Sequence, residues 1–260
     1  LKKPTFGGLN ELLEAIKLRY SLIEALGINE KNEKELREKI NALFLHARLC
    51  KDSISSEEEL FDLLEIMNAC RKKLRSMNNY SLSKLKVCDY KSFDPEYFLE
   101  DIFVAADLML SSFGKSIEFK AEGRIPEISA NPEVLFTAVM NLISNAAIHS
   151  RGELISASLS MAGNRACLKV ENEGRLNLNM LRQAYNRGGS GVNCIMNAAR
   201  LHCGSFLLGV SGNRTKAVLS ISSMEAQSTG AYKLPDFTDY ICDRLSPMYT
   251  ALCDCVLCPL

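Results

Sequence analysis

NPEVLFTAVMNLISNAAIHS, residues Asn131–Ser150, is the stretch on which the reading of this chain turns. Asn131 and Pro132 open it as a helix: the asparagine side chain takes up free amide hydrogens, and the proline sits in the first turn, where it has no bond to lose. The body of the helix is mostly Val, Leu, Phe, Met, Ile and Ala, yet Asn141 and Asn145 stand one turn apart on a single face. A buried carboxamide without a partner costs on the order of 1–3 kcal/mol, so something must satisfy these two. A neighbouring strand or a buried water is one answer. The other is a divalent cation with nucleotide phosphates, since Mg2+ takes oxygen ligands and keeps several waters beside them.

The flanking sequence favours the second answer. ELISASLSM alternates as a strand, Gly163-Asn164 turns, and ACLKVENEG returns with Ala166, Leu168 and Val170 on one face, forming a hairpin. GGSG, with Gly188, Gly189 and Gly191, then opens the helix VNCIMNAARLHC, and SFLLGVSGNRTKAVLSIS closes as a second hairpin. Glycines there let backbone amides approach an anion, and the helix N-terminus favours negative charge. Taken alone, GGSG is also what an ordinary loop looks like. Upstream, SFDPEYFLEDIFVAADLML gives a helix begun at Asp94-Pro95, and KSIEFKAEG gives a strand. Helices on one side of a mixed sheet describe an α+β, two-layer domain over residues 86–225.

The first 85 residues read as a helical bundle of the dimerisation type. Leu9, Leu12, Leu13, Ile16, Ile23 and Leu26 recur at helical spacing up to Gly27. Leu36, Ile40, Leu43, Ala47 and Cys50 form a narrow seam. Leu60, Leu63, Met67, Cys70, Leu74 and Met77 line a third helix that Ser55 or Ser56 caps. Stripes this long predict a homodimer through these helices. Lys plus Arg and Asp plus Glu both number 31, which argues against nucleic acid as a partner. No window approaches the roughly eighteen apolar residues of a membrane span, which predicts no membrane contact. The ten cysteines lack the regular spacing of a disulfide framework, and cytoplasmic, buried thiols are expected.

Three motifs in this order resemble those of the ATP-binding domain of sensor histidine kinases, within the wider ATPase superfamily of topoisomerases, mismatch-repair proteins and heat-shock chaperones. NLISNAAIHS resembles the family's asparagine box, VENEGRL its first glycine box, and GGSGVNCIMNAARLHCGS its second glycine box with the adjoining helix and His-Gly-Gly-like turn. The likeness covers residues 85–223. It implies a histidine kinase ATPase fold that holds Mg-ATP, with Asn145 as the magnesium ligand. Asn141, His149, Asn172, Gly174, Gly188, Gly189 and Gly191 would lie on the nucleotide. It also implies phosphoryl transfer to a histidine and then to a response regulator protein.

The departures point toward weakened catalysis. Asn172 stands where the family has an Asp for the adenine amino group, and Leu176 where it has a glycine. Only a short segment separates Gly174 from Gly188, and a short lid excludes water poorly. A catalytically inactive pseudokinase, acting as a dimeric scaffold or phosphotransfer protein, is therefore the alternative. His46 is the candidate phosphoacceptor within the bundle, against a plain reading as a helix histidine beside the seam. LKKPTFGGLNELL also resembles the residues just after the family's acceptor, so that histidine is alternatively expected upstream of Leu1. His202 is expected to cap its helix. The tail 226–260, with Cys242, Cys253, Cys255 and Cys258, is expected to pack against the domain or a partner chain as thiols rather than as a zinc site.

Overall fold

The computed structural model describes residues 9–29, 31–50, 54, 56–86, 89–174, 190–222, 237–242 and 246–255. The chain divides into two compact units, and the boundary falls between Asn78 and Asn79.

In the first unit, helix α1 (Leu9–Ala25) is followed by α2 (Glu33–Cys50) and by α3 (Glu57–Lys84), whose last turns belong to the second unit. The spacing of apolar residues is what builds it: Leu13, Ile16 and Ile23 meet Leu36, Ile40, Leu43 and Ala47, with Leu63, Met67, Cys70, Leu74 and Met77, in one buried cluster. Of the two serines expected to cap α3, Ser56 does so, its hydroxyl accepting from the Glu59 amide at 3.1 Å. Polar contacts join the helices at the rim. Lys17 pairs with Asp62 at 2.9 Å, and Arg37 Nη2 donates to Asn78 Oδ1 at 2.6 Å. The buried guanidinium of Arg71 lies over the Phe44 ring, 5.4 Å from its centroid.

The second unit carries helices α4 (Pro95–Ser111), α5 (Pro132–His149) and α6 (Ser190–Leu201). Its strands are β1 (Lys91–Phe93), β2 (Ser116–Glu122), β3 (Ile128–Ala130), β4 (Leu154–Ala162), β5 (Arg165–Glu173), β6 (Ser205–Ser211) and β7 (Arg214–Ser222). Asp94 caps α4, accepting from the Glu96 and Tyr97 amides at 2.8 and 3.3 Å; Asn131 caps α5, accepting from the Val134 amide at 2.9 Å. Both helices start where the Asp-Pro and Asn-Pro pairs place them.

The main sheet runs β2-β4-β5-β7-β6, with β2 parallel to β4 and the other pairs antiparallel, so it is mixed as expected. The period-2 alternation puts Ile155, Leu159, Ala166, Leu168, Val170, Leu219 and Ile221 in the buried layer between sheet and helices. A small apolar void among Leu99, Leu135, Leu159, Leu168 and Leu219 lies toward the β4–β5 turn, away from Asn172. The short ribbon pairing β1 with β3 has too few residues for alternation to announce it.

Two further helices, α7 (Phe237–Cys242) and α8 (Pro247–Leu252), pack on α4 and α5 respectively. Tyr240 stacks on Phe136 with centroids 5.2 Å apart, and Cys255 Sγ donates to the Ser144 carbonyl at 3.7 Å. Met248, Leu252 and Cys253 are buried. The described part of the apolar tail thus covers α4 and α5. Cys258 and the side chain of Cys242 lie outside the described residues, among which no group of three or more metal-ligating side chains occurs. Burial pushes the Cys70 and Cys194 thiols up to about 12, in keeping with inert packed cysteines.

Candidate functional site

Helix α5 brings its second half between the start of α6 and the far ends of β5 and β7. Three close approaches define this arrangement. A Cβ on Gly191, in the first turn of α6, would stand 2.6 Å from Asn141 Oδ1; only a glycine lets that turn come so near the asparagine. Gly174, just beyond β5, has φ +143° and lies against the end of α5, where a Cβ would meet the His149 carbonyl at 2.6 Å. Thr215 on β7 sits directly across from Asn172 on β5, and its hydroxyl donates to the Gly174 carbonyl at 2.6 Å. The backbone adds a further tie, the Gly174 amide donating to the Asn213 carbonyl at 2.9 Å.

The side chains brought together differ in how they are satisfied. Asn141 is 2% exposed and fully engaged: its Nδ2 donates to Asn79 Oδ1 and to the Thr137 carbonyl, both at 2.8 Å, while its Oδ1 accepts from Asn79 Nδ2 at 3.3 Å. Asn145 is half-buried, and no hydrogen-bond partner for it is found among the described residues. Asn172 is 5% exposed; its Nδ2 donates to the Glu173 carbonyl at 3.2 Å, leaving Oδ1 without a partner among the described residues. That oxygen has both lone pairs to offer an incoming donor. His149 is exposed at the end of α5. Gly188, Gly189 and Leu176 lie outside the described residues.

This donor set suits a magnesium nucleotide. The unmet Asn172 carbonyl is a match for an exocyclic amine, and Asn145 offers a neutral carboxamide oxygen of the kind Mg2+ accepts. Sequence reasoning missed two contributors. Thr215 carries a detectable signal, since it is polar where the alternation of β7 calls for an inward apolar residue. Asn79 carries none: in RSMNNYSLSK it reads as one more polar residue near a helix end.

His202 lies apart from this constellation and is structural. Its Nδ1 donates to the Ala198 carbonyl at 2.7 Å, the helix-end capping expected of it, while Nε2 accepts from the Asn131 amide at 2.9 Å. Only a neutral ring can do both, and burial lowers its pKa. A positive charge compensating the helix dipole is therefore not what holds it. In the first unit, His46 is half-buried and touches the Arg19 guanidinium; burial, then the Arg19 charge, lowers its pKa.

No family model matches the chain, and no curated protein matches it. Solved structures do. Acinetobacter baumannii histidine kinase AdeS superposes with a TM-score of 0.55 at 17% identity, covering 74% of this chain and 98% of that one. Full-length ShkA in complex with AMPPNP gives 0.62 at 15% identity, covering 75% of this chain and 46% of that one. Histidine kinase ThkA, in complex with the response regulator protein TrrA, gives 0.55 at 14% identity over 85% of this chain and 68% of that one. The chain therefore has the fold of the sensor histidine kinases: helices followed by the α+β ATPase domain. No helix among the described residues is long and apolar enough to cross a membrane.

Proposed function

We propose that the chain is a two-component signalling protein of the histidine kinase type whose second unit binds Mg-ATP. The observation that carries this is the Asn172 side chain, largely buried beside Gly174 and Thr215, whose carbonyl oxygen has no donor among the described residues. In this reading Asn172 accepts from the adenine amino group, Asn145 ligates Mg2+, and Gly174, Gly188, Gly189, Gly191, Asn141 and His149 line the nucleotide. Mg2+, when bound, supplies charge neutralisation to the phosphates. The first turn of α6 turns its backbone amides to the same anion.

The γ-phosphoryl group would pass to a histidine and onward to a response-regulator aspartate. ShkA is seen with AMPPNP and ThkA with a response regulator, which supports carrying both roles to this fold. His46 is the candidate acceptor among the described residues: a neutral imidazole is the nucleophilic form, and Arg19 beside it can pair with an added phosphoryl group. Leu18, Leu22, Leu45 and Phe61 stand exposed on the first unit, as a homodimer through these helices requires. A second reading, a pseudokinase scaffold, is favoured by one observation, that Asn141 already spends both amide hydrogens on protein partners.

Thermal melting with and without Mg-ATP tests the proposal. Nucleotide at ten times its Kd should stabilise by about 1.4 kcal/mol. Asn172→Asp should bind about tenfold more tightly, since a charged acceptor forms the stronger bond. No shift at millimolar Mg-ATP in either protein sinks ATP binding, and a shift without acid-labile phosphate on the chain favours the scaffold.

A further inference from the structure

Asn79 and Asn141 are both almost wholly buried, at 3% and 2% exposure, and their carboxamides bond reciprocally across a sequence separation of 62 residues. Each gives the other one donor and one acceptor. The same last turns of α3 are gripped a second time by α6. Asn197 Nδ2 donates to the Leu82 and Leu85 carbonyls at 2.6 and 3.0 Å, and Arg200 Nη2 donates to the Leu85 carbonyl at 3.0 Å. Arg200 also donates to Asn197 Oδ1, through Nε at 3.0 Å and Nη2 at 2.9 Å, so the two side chains act as one clasp. A cation and an amide on the final carbonyls of a helix meet the acceptors that its geometry leaves open. The end of α3 is thus fastened to α5 and α6, the two helices that carry Asn141, Asn145 and Gly191.

The stoichiometry of Asn141 makes this fastening a competitor. A carboxamide has two N–H hydrogens, and those of Asn141 go to Asn79 Oδ1 and the Thr137 carbonyl. A phosphate oxygen can only accept. It can reach Asn141 only by taking a hydrogen from one of these partners, and Thr137 belongs to α5 itself and cannot leave. Asn79 is the partner that can be displaced.

We infer that the Asn79–Asn141 pair is a nucleotide-sensitive latch: it seats the last turn of α3 when the site is empty and is opened by a triphosphate that claims the Asn141 amide. The inference rests on the Mg-ATP reading of the site. Coupling of this kind is reciprocal, so whatever the nucleotide does to the latch, loss of the latch does to nucleotide affinity. Two neutral hydrogen bonds place the coupling at about tenfold or somewhat more.

Two measurements with Mg2+ and the non-hydrolysable analogue AMPPNP decide it. In calorimetric titration of the full chain, Asn79→Ala should bind about tenfold more tightly than the natural sequence. In hydrogen exchange on the natural sequence, which needs no variant to fold, saturating Mg-AMPPNP should speed exchange of the amides of residues 79–84. Affinities equal within twofold, or exchange at 79–84 that slows or stays unchanged on saturation, overturn the latch and leave nucleotide binding standing. Failure of both proteins to bind at millimolar concentration overturns the latch and the nucleotide reading together.

Discussion

Replacing His202 with phenylalanine isolates one hydrogen bond and one titration. The ring size and the edge-on contact with Tyr90, whose centroid is 5.7 Å away, can persist, but the Asn131 amide loses its acceptor. The Ala198 carbonyl keeps the His202 backbone amide at 3.1 Å, so its loss is small. At pH 7.5 the cost should be about 2 kcal/mol, the middle of the range for an orphaned donor. The sign of the pH effect comes from the lowered pKa. In the unfolded chain His202 gains a proton as pH falls through 6.5, while in the fold it resists, because a protonated Nε2 would point a hydrogen at the Asn131 N–H. Its contribution is thus fully present above 6.5 and is lost as pH falls toward the folded value, at up to about 1.4 kcal/mol per pH unit. Urea unfolding followed by circular dichroism at pH 7.5 and 5.5 reads both effects. Groups common to both proteins cancel in the difference, so the gap between natural sequence and His202→Phe should shrink by up to about 1.4 kcal/mol on acidification. A gap that does not change with pH, or that widens, refutes the neutral, doubly bonded histidine.

Three further substitutions have outcomes fixed by local geometry. Gly204→Ala would place a Cβ 1.7 Å from the Ser220 carbonyl oxygen, so β7 must move; a loss of at least about 2 kcal/mol is expected in urea unfolding. Cys203 holds φ +51°, a left-handed conformation that costs a side chain about 1–2 kcal/mol, and Cys203→Gly should raise the melting temperature by a few degrees. Asp94→Ala removes the acceptor for two amides at the start of α4 and should cost about 1 kcal/mol, seen as a lower urea midpoint with an unchanged slope.

The elements of this fold were legible wherever a local rule acts. Asn131-Pro132 and Asp94-Pro95 announce helix starts because the free amides of a first turn need an acceptor within reach. The alternation in β4, β5 and β7 announces strands because one face is dry. Two glycines mark close packing equally plainly: Gly174 and Gly191 are needed where chain meets chain. What escaped was the identity of partners distant in sequence. Two carboxamides on an apolar helix raise the question of what satisfies them, but nothing in that stretch says that Asn141 is met by Asn79 while Asn145 finds no partner among the described residues. The extent of burial of α5 was hidden likewise, since Phe136 and Ser144 are covered by residues of the tail, which composition marks as apolar without saying where it lies.

That covering has a consequence for biosynthesis. Cys255 reaches Ser144 from 111 positions later in the chain, and Tyr240 comes to Phe136 from almost as far. Until that stretch is made, Phe136 and the flank of α5 around it have nothing from the later helices to cover them. The nascent domain should therefore be a client of chaperones until its closing helices emerge, and a shortened version ending after β7 should be recovered in aggregates.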